Sequence, residues 1–461
     1  MSIINIVLFF IIGTVPLLYG AIEPWVWAVY AVLMMGVFGI AYWQGRVRIG
    51  GPWVLATAGG FLVYSVFLCV PLPGFLLELL SPERYGLLKA GSGLLGASVG
   101  WESLSYDWLA ASAWAGLLFA VLLFFFVLKG RLEDKGFLRQ MAWVMLAVAF
   151  AEALYGLVQL FVPGVEVLWS KAVGAEDCAR GTFINRNHFA GFLGMVWPLG
   201  LGLIIYQAKK HARELPGSSR IKRLKWLFST DWFGRQFILV FAMVLIILAL
   251  LFSRSRAGIT AAFIGFCVFL VLLRLGRRRI GPGMWAFGGA GFCLLFVYSL
   301  NIGLDSIFER FLKLSDGASR VALWRESFGI VKDHPLGIGL HNYADVFPVY
   351  DSLSGITGKY YYAHNDYLQL LIETGWPGFV LIMTGFLWFI GKSVMRIYQA
   401  GRRMDDFRFL VGIGALSGIV SMAFHSVFDF NLQIPANLLY FVVLCGIVWG
   451  CFWGKYVDRS A

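Results

Sequence analysis

The chain has 461 residues, of which 59% are hydrophobic, 17% aromatic and only 14% charged, with a mean hydropathy of +0.75. A water-soluble domain needs about a quarter charged residues to cover its surface, so this composition excludes a soluble fold and makes lipid the solvent. The net charge of +12 does not call for nucleic acid, because basic residues in a membrane protein first follow the rule that gathers Lys and Arg on the cytoplasmic side.

Apolar runs of about 20 residues, enough to cross roughly 30 Å of hydrocarbon as helix, recur along the whole sequence. Twelve spans are expected, at 4–20, 24–44, 52–71, 108–128, 140–162, 188–206, 236–252, 258–273, 283–301, 376–391, 409–424 and 438–453. The fold class is all-α: a polytopic membrane protein with about 12 transmembrane helices and a large, partly helical outer loop. The expected division is 1–301 for transmembrane helices one to nine, 302–375 for the loop, and 376–461 for helices ten to twelve. The first run, Ile4 to Leu18, lacks an A-x-A-like cleavage site after it and reads as a retained helix.

With both termini cytoplasmic, the inside connections hold roughly two thirds of the 38 Lys and Arg, and the acidic residues divide the opposite way. One more or one fewer span would put part of that asymmetry on the wrong side. Among the cysteines, Cys69, Cys267, Cys293, Cys445 and Cys451 fall in apolar runs and Cys178 in a loop, with no CxxC or metal spacing. Four outer connections are long or unusual: 72–107, 163–187, 302–375 and 425–437. The third is too long for a structureless turn, and Ser319 to Val331 within it has helical spacing, broken later at Pro335, Gly337 and Gly339.

The strongest local signal is the segment 363–378, where loop meets span. His364 stands at a helix start, with Asn365 and Asp366 suited to the cap and first turn. Asp366 and Glu373 lie at helical positions from which a carboxylate could orient or share a proton with the imidazole. A His tuned in this way is a general base; an interfacial His bonded to backbone is the bland alternative. Further polar clusters on the same face are 181–188 with Arg186, 253–258 with Arg254 and Arg256, 319–325 with Arg320 and Trp324, and 425–430. Arginines on an otherwise acidic outer face are not explained by orientation, and a guanidinium holds phosphate by a bidentate fork without losing its charge. Pairing with loop carboxylates or headgroups is the plain alternative for each arginine. Glu152, inside the fifth span, is an ionisable group without an assigned role.

These residues resemble the O-antigen ligase and O-antigen polymerase superfamily. The ligase pattern is His, then Asn/Ser/Gln, nine residues, Gly, two residues and Gly/Thr/Tyr; here it reads His364, Asn365, Gly375 and Gly378 without a gap. The segments 252–258, Arg320 with Trp324, and 333–339 are similar to family patterns as well, and the resemblance is densest from about 180 to 437. It implies a multi-pass protein of the bacterial inner membrane, with a periplasmic site acting on an undecaprenyl-diphosphate-linked glycan. His364 is then the catalytic base. Arg256 and Arg320 engage the diphosphate, with Arg254, Arg186, Asn365 and Asp366 as further substrate-binding candidates. The implied transfer is inverting, to a glycan or glycolipid acceptor such as lipid A-core, with no cofactor, metal or nucleic acid. No outward DxD-like carboxylate pair is present.

Within the same chemistry, a polymerase of lipid-linked repeat units is the alternative. Protein O-glycosylating relatives fit less well, since no large soluble domain follows the last span. Of another class is a transporter or flippase for lipid-linked sugars, but such proteins place coupling groups near the midplane, whereas these polar motifs gather at one surface.

Overall fold

The computed structural model describes residues 2–47, 49–162, 164–168, 178–214, 230–277, 320–352, 360–401 and 403–454. Among these residues the helices are joined by turns and loops, and an isolated bridge pairs Leu72 with Glu102. The main helices in chain order are α1 (Ile3–Thr14), α2 (Pro24–Trp43), α3 (Pro52–Leu68), α4 (Gly74–Leu80), α5 (Pro82–Leu94), α6 (Trp108–Leu132) and α7 (Lys135–Phe161). They are followed by α8 (Arg186–Glu214), α9 (Thr230–Phe252), α10 (Arg256–Leu275), α11 (Arg320–Asp333), α12 (Asp366–Ala400), α13 (Asp406–His425) and α14 (Pro435–Phe452).

Eight of these, α2, α6, α7, α8, α10, α12, α13 and α14, are long and apolar enough to cross a membrane, while α1, α3 and the Gln236–Phe252 part of α9 are shorter apolar helices. The chain is an all-α polytopic membrane protein. Eleven of the twelve expected spans fall on these helices, and the twelfth, 283–301, lies outside the described residues, as do 302–319 and 353–359 of the expected loop. Of the cysteines, Cys69, Cys178, Cys267, Cys445 and Cys451 form no disulfide. Large apolar side chains such as Val29, Val32, Phe237 and Phe241 point outward from α2 and α9, as lipid-facing surfaces do.

At the centre α8 and α13 pack closely, and glycine explains why. A Cβ on Gly418 would come 2.1 Å from Met195 O, on Gly202 2.4 Å from Leu410 O, and on Gly414 2.7 Å from Pro198 O. Gly414 and Gly418 are four apart and share a helix face, so the backbones meet without side chains between them, the usual means of helix association where burial from water drives nothing. Nearly all of α8 is buried as a result. The pairing brings the first residues of α8 against the segment that follows α13.

The start of α12 differs from expectation. Helix begins at Asp366, ten residues ahead of the expected span, and then breaks at Gly375, which has φ 61° and ψ −173°. That conformation belongs to glycine. The backbone groups freed by the break pair with the segment 335–339: Ile338 N donates to Ile372 O (3.2 Å), Gly339 N to Glu373 O (2.9 Å) and Trp376 N to Pro335 O (3.0 Å). Pro377 has no N–H to satisfy. The two chains cross so closely that a Cβ on Gly337 would be 2.6 Å from Glu373 O and one on Gly375 2.3 Å from Leu336 C. The glycine-rich segment 333–339 is therefore a brace for the short helix that follows His364.

Candidate functional site

The site lies at one end of the bundle, where α8, α10, α12 and α14 begin and α13 ends. Asn365 caps α12, its side chain accepting from Tyr367 N (3.0 Å) and Leu368 N (3.1 Å), so its work is local: it satisfies amides that the helix start leaves unpaired. His364, one residue earlier, has φ 50°, a left-handed conformation uncommon outside glycine although His tolerates it better than most. This reversal directs the imidazole to the 425–437 connection.

There Nδ1 of His364 lies 3.1 Å from Oδ1 of Asp429. The same carboxylate accepts at Oδ2 from Asn187 Nδ2 (2.5 Å) and lies 3.5 Å from Arg320 Nη2. His188 Nε2 is 3.9 Å from Oδ1, and Phe430 N donates to Oδ1 (3.0 Å). Arg320 also donates from Nη1 to Phe428 O. Asp429 is fully buried. Burial by itself would raise its carboxyl, but the hydrogen bond with His364 and the nearby His188, His364 and Arg320 outweigh burial and hold the group well below the usual carboxylate range. It is a fixed anion.

A carboxylate can only accept, so Nδ1 of His364 carries the proton and Nε2 is left as the basic nitrogen. The ring is half-buried and stands edge-on to Phe430 at 4.8 Å. Phe430 is also edge-on to His188 at 4.5 Å and stacked with Tyr362 at 4.1 Å. These aromatic contacts fix the imidazole plane. Trp324, four residues after Arg320 in α11, donates from Nε1 to Ala363 O (2.9 Å), tying the helix that carries Arg320 to the residue before His364.

The sequence pointed to Asp366 and Glu373 as carboxylates for the imidazole; the structure gives Asp429 that position. Asp366 Oδ2 accepts from Leu432 N (3.0 Å), while its backbone N donates to Ser426 O (2.8 Å) and Asp429 O (3.3 Å). Glu373 accepts from Gln369 Nε2 (2.8 Å). Asp429 stood in a polar segment already singled out, 425–430, but sequence spacing carries no signal for which side chain there meets His364.

The arginines separate by position. Arg320 is at the site. Arg256 is the first residue of α10, half-buried, after Ser255, whose side chain accepts from Gly258 N. A Cβ on Gly258 would lie 3.3 Å from His425 Cε1, so the first turn of α10 packs on the last turn of α13, four residues before Asp429. Arg254 is exposed, in the turn before α10, with φ 53°. Arg186 opens α8 beside Asn187 and is half-buried.

Glu152 has a structural place. It is fully buried in α7 and accepts from Thr182 N (2.9 Å), with Thr182 Oγ1 2.6 Å from its other oxygen. Thr182 Oγ1 also donates to Pro16 O (2.7 Å). A Cβ on the preceding Gly181, φ 59°, would be 2.3 Å from Glu152 Oε2. The carboxyl thus anchors the turn that leads into Arg186, Asn187 and His188.

Fold and site together define a membrane protein with an imidazole, a buried carboxylate and a guanidinium assembled at one end of its helices. Residues 241–383 match the family model described as O-antigen ligase. Over that stretch, about a third of its length, the chain is similar to the O-antigen ligase family, in line with the resemblance of the sequence motifs. The match takes in Arg254, Arg256, Arg320, His364 and Asn365 and stops short of Asp429. Among curated proteins none matches the chain.

Proposed function

We propose that this protein is an O-antigen ligase-like glycosyltransferase, moving a glycan from undecaprenyl diphosphate to an acceptor sugar hydroxyl at the periplasmic face of the bacterial inner membrane. The observation that carries the reading is the sharing of one buried carboxylate, Asp429, by His364 at 3.1 Å and Arg320 at 3.5 Å. Nε2 of His364 takes the proton of the acceptor hydroxyl as its oxygen attacks the anomeric carbon from the face opposite the diphosphate. The anomeric C–O bond breaks, and its electron pair leaves with undecaprenyl diphosphate. Asp429 fixes the imidazole tautomer and stabilises the imidazolium that forms. Arg320 and Arg256, with Arg254 two residues before Arg256 and Arg186 at the start of α8, meet the charge growing on the leaving diphosphate. One displacement with inversion needs one base, not the two carboxylates that flank the bond in a retaining hydrolase.

In proteoliposomes with a lipid-linked donor, His364→Ala should insert normally and lose transfer. Arg320→Ala and Arg256→Ala should weaken donor use far more than Arg277→Ala, whose guanidinium sits over Tyr398 at the far end of α12. Retained transfer by His364→Ala would remove the base, and equal losses at all three arginines would point to folding instead of diphosphate contact. In a deletion strain, polymer accumulating on undecaprenyl diphosphate marks a ligase, and single repeat units mark a polymerase.

A further inference from the structure

The two oxygens of Asp429 meet different neighbours. Oδ1 faces His364 Nδ1 at 3.1 Å and accepts from Phe430 N. Among the described residues the nearest side-chain donor to Oδ2 is Asn187, whose Nδ2 is 2.5 Å away, with Arg320 Nη2 at 3.5 Å. His188 Nε2, 3.9 Å from Oδ1, is beyond hydrogen-bond reach.

Asn187 has supports of its own. Its backbone N donates to Asn185 Oδ1 (2.8 Å), and the carbonyl of the next residue, His188, accepts from Asn437 Nδ2 of α14 (3.2 Å). The turn ahead of it is held from α7 by Glu152, which accepts from Thr182 N, and by Gln159, which donates from Nε2 to Gly181 O (2.8 Å). Asn187 is therefore placed by α7 and α14 and not by the carboxylate it meets.

The kind of donor matters as much as its position. A carboxamide donates without bringing a charge, so the negative charge of Asp429 stays available to the imidazole, whereas a Lys or Arg at the same distance would offset it. Arg320 does not do the same work: its guanidinium is partly exposed, bonds Phe428 O as well, and in the proposed function is engaged by the diphosphate. A carboxylate held by Arg320 alone would be loosened in the step at which the imidazole needs it.

We propose that Asn187 is a positioning residue for the transfer, pinning Oδ2 of Asp429 so that Oδ1 stays on His364 Nδ1 while Arg320 serves the donor. The inference rests on His364 being the base.

Kinetics with a lipid-linked donor in proteoliposomes test it, with membrane insertion and unfolding temperature measured beside them. Asn187→Ala should lower kcat about 10- to 100-fold, the scale of a small misplacement of a catalytic group, and leave the donor KM within about threefold. Asn187→Asp keeps the shape, removes the donor and sets a second carboxylate against Oδ2. The titratable and charged groups already facing Asp429 among the described residues are His188 of α8, Arg320 of α11, His364 and Asp366 at the start of α12, and His425 of α13, all of which this variant leaves as they are. Two carboxylates in contact share a proton, and the added negative charge favours the imidazolium at His364. Both effects move the acid limb of the kcat–pH profile upward, by at least about one unit. In Asp429→Asn, adding Asn187→Ala should cost less than about a further threefold, because the residue it acts through is already changed. A raised KM with kcat kept would make Asn187 a substrate contact and overturn the proposal. So would an acid limb that stays in place, or losses that multiply in the double variant. Retained transfer by His364→Ala would instead remove the base itself, so the two failures are told apart.

Discussion

His364 Nδ1 and Asp429 Oδ1 are 3.1 Å apart although 65 positions separate the residues in the chain. The contact forms because the left-handed backbone at His364 meets the connection after α13, whose position is set by the glycine packing of α13 on α8.

Asp429→Asn tests what that carboxylate does. The amide keeps the shape of the side chain but is a poorer acceptor and no longer an anion beside the imidazole. Transfer should fall by about 10²- to 10⁴-fold, the range a positioned general base contributes, with membrane insertion unchanged. The measurement is turnover of a lipid-linked donor in proteoliposomes. Activity within a factor of about three of the parent would mean that the imidazole needs no orienting anion.

Much of this arrangement was legible in the sequence. Apolar runs located eleven described helices because a membrane span must satisfy its backbone within itself, leaving length and hydropathy as sufficient signals. His364 stood out in a motif where the outer loop meets a span, and Arg320 in a polar motif within that loop. The pairing of His364 with Asp429 was not legible, because it depends on how two connections fold over one end of the bundle, and Asp366 and Glu373 were nearer in sequence. Glu152 looked anomalous for the same reason: its partners, Thr182 N and Oγ1, come from a loop 30 residues away.

At Glu152, two substitutions separate structure from charge. Glu152→Gln keeps an oxygen for Thr182 N and supplies an N–H to Thr182 Oγ1, which still donates to Pro16 O, so transfer and thermal stability should stay near the parent values. Glu152→Ala leaves the Thr182 amide buried without a partner, at about 1–3 kcal/mol, and loosens the turn ahead of Asn187. It should lower both the unfolding temperature and the rate of transfer. If Gln proved as damaging as Ala, the ionised carboxyl itself would matter and the anchoring role would be wrong.

His334 gives a pH dependence with a definite sign. Its Nδ1 is 3.3 Å from Ser81 Oγ, and its Nε2 is 3.3 Å from both Tyr106 OH and Tyr350 OH. Burial pushes the imidazole down to about 4, against about 6.5 in an unfolded chain. Between those values the unfolded state binds more protons, so stability is level above about pH 6.5 and declines as pH falls toward 4. His341 is lowered by burial as well and adds in the same direction. The unfolding temperature in detergent should drop between pH 7.5 and 5, and His334→Gln should shrink that drop. An identical drop in the variant would take His334 out of the account.

The break in α12 makes the sharpest demand on a single residue. Gly375 combines φ 61° and ψ −173° with a crossing so close that a Cβ would stand 2.3 Å from Leu336 C. Gly375→Ala therefore meets a backbone penalty of order 1–3 kcal/mol and a collision with main chain, which cannot move aside as a side-chain tip can. The short helix after His364 would have to shift, so transfer should fall steeply and the unfolding temperature with it. Gly391→Ala, in the same helix with open space around its Cβ, is the control: alanine is the better helix former by up to about 1 kcal/mol, so the protein should be unchanged or slightly more stable. Tryptophan-fluorescence melting of the two purified variants decides the matter, and equal behaviour would show that the crossing of 335–339 over Gly375 does not hold the candidate base in place.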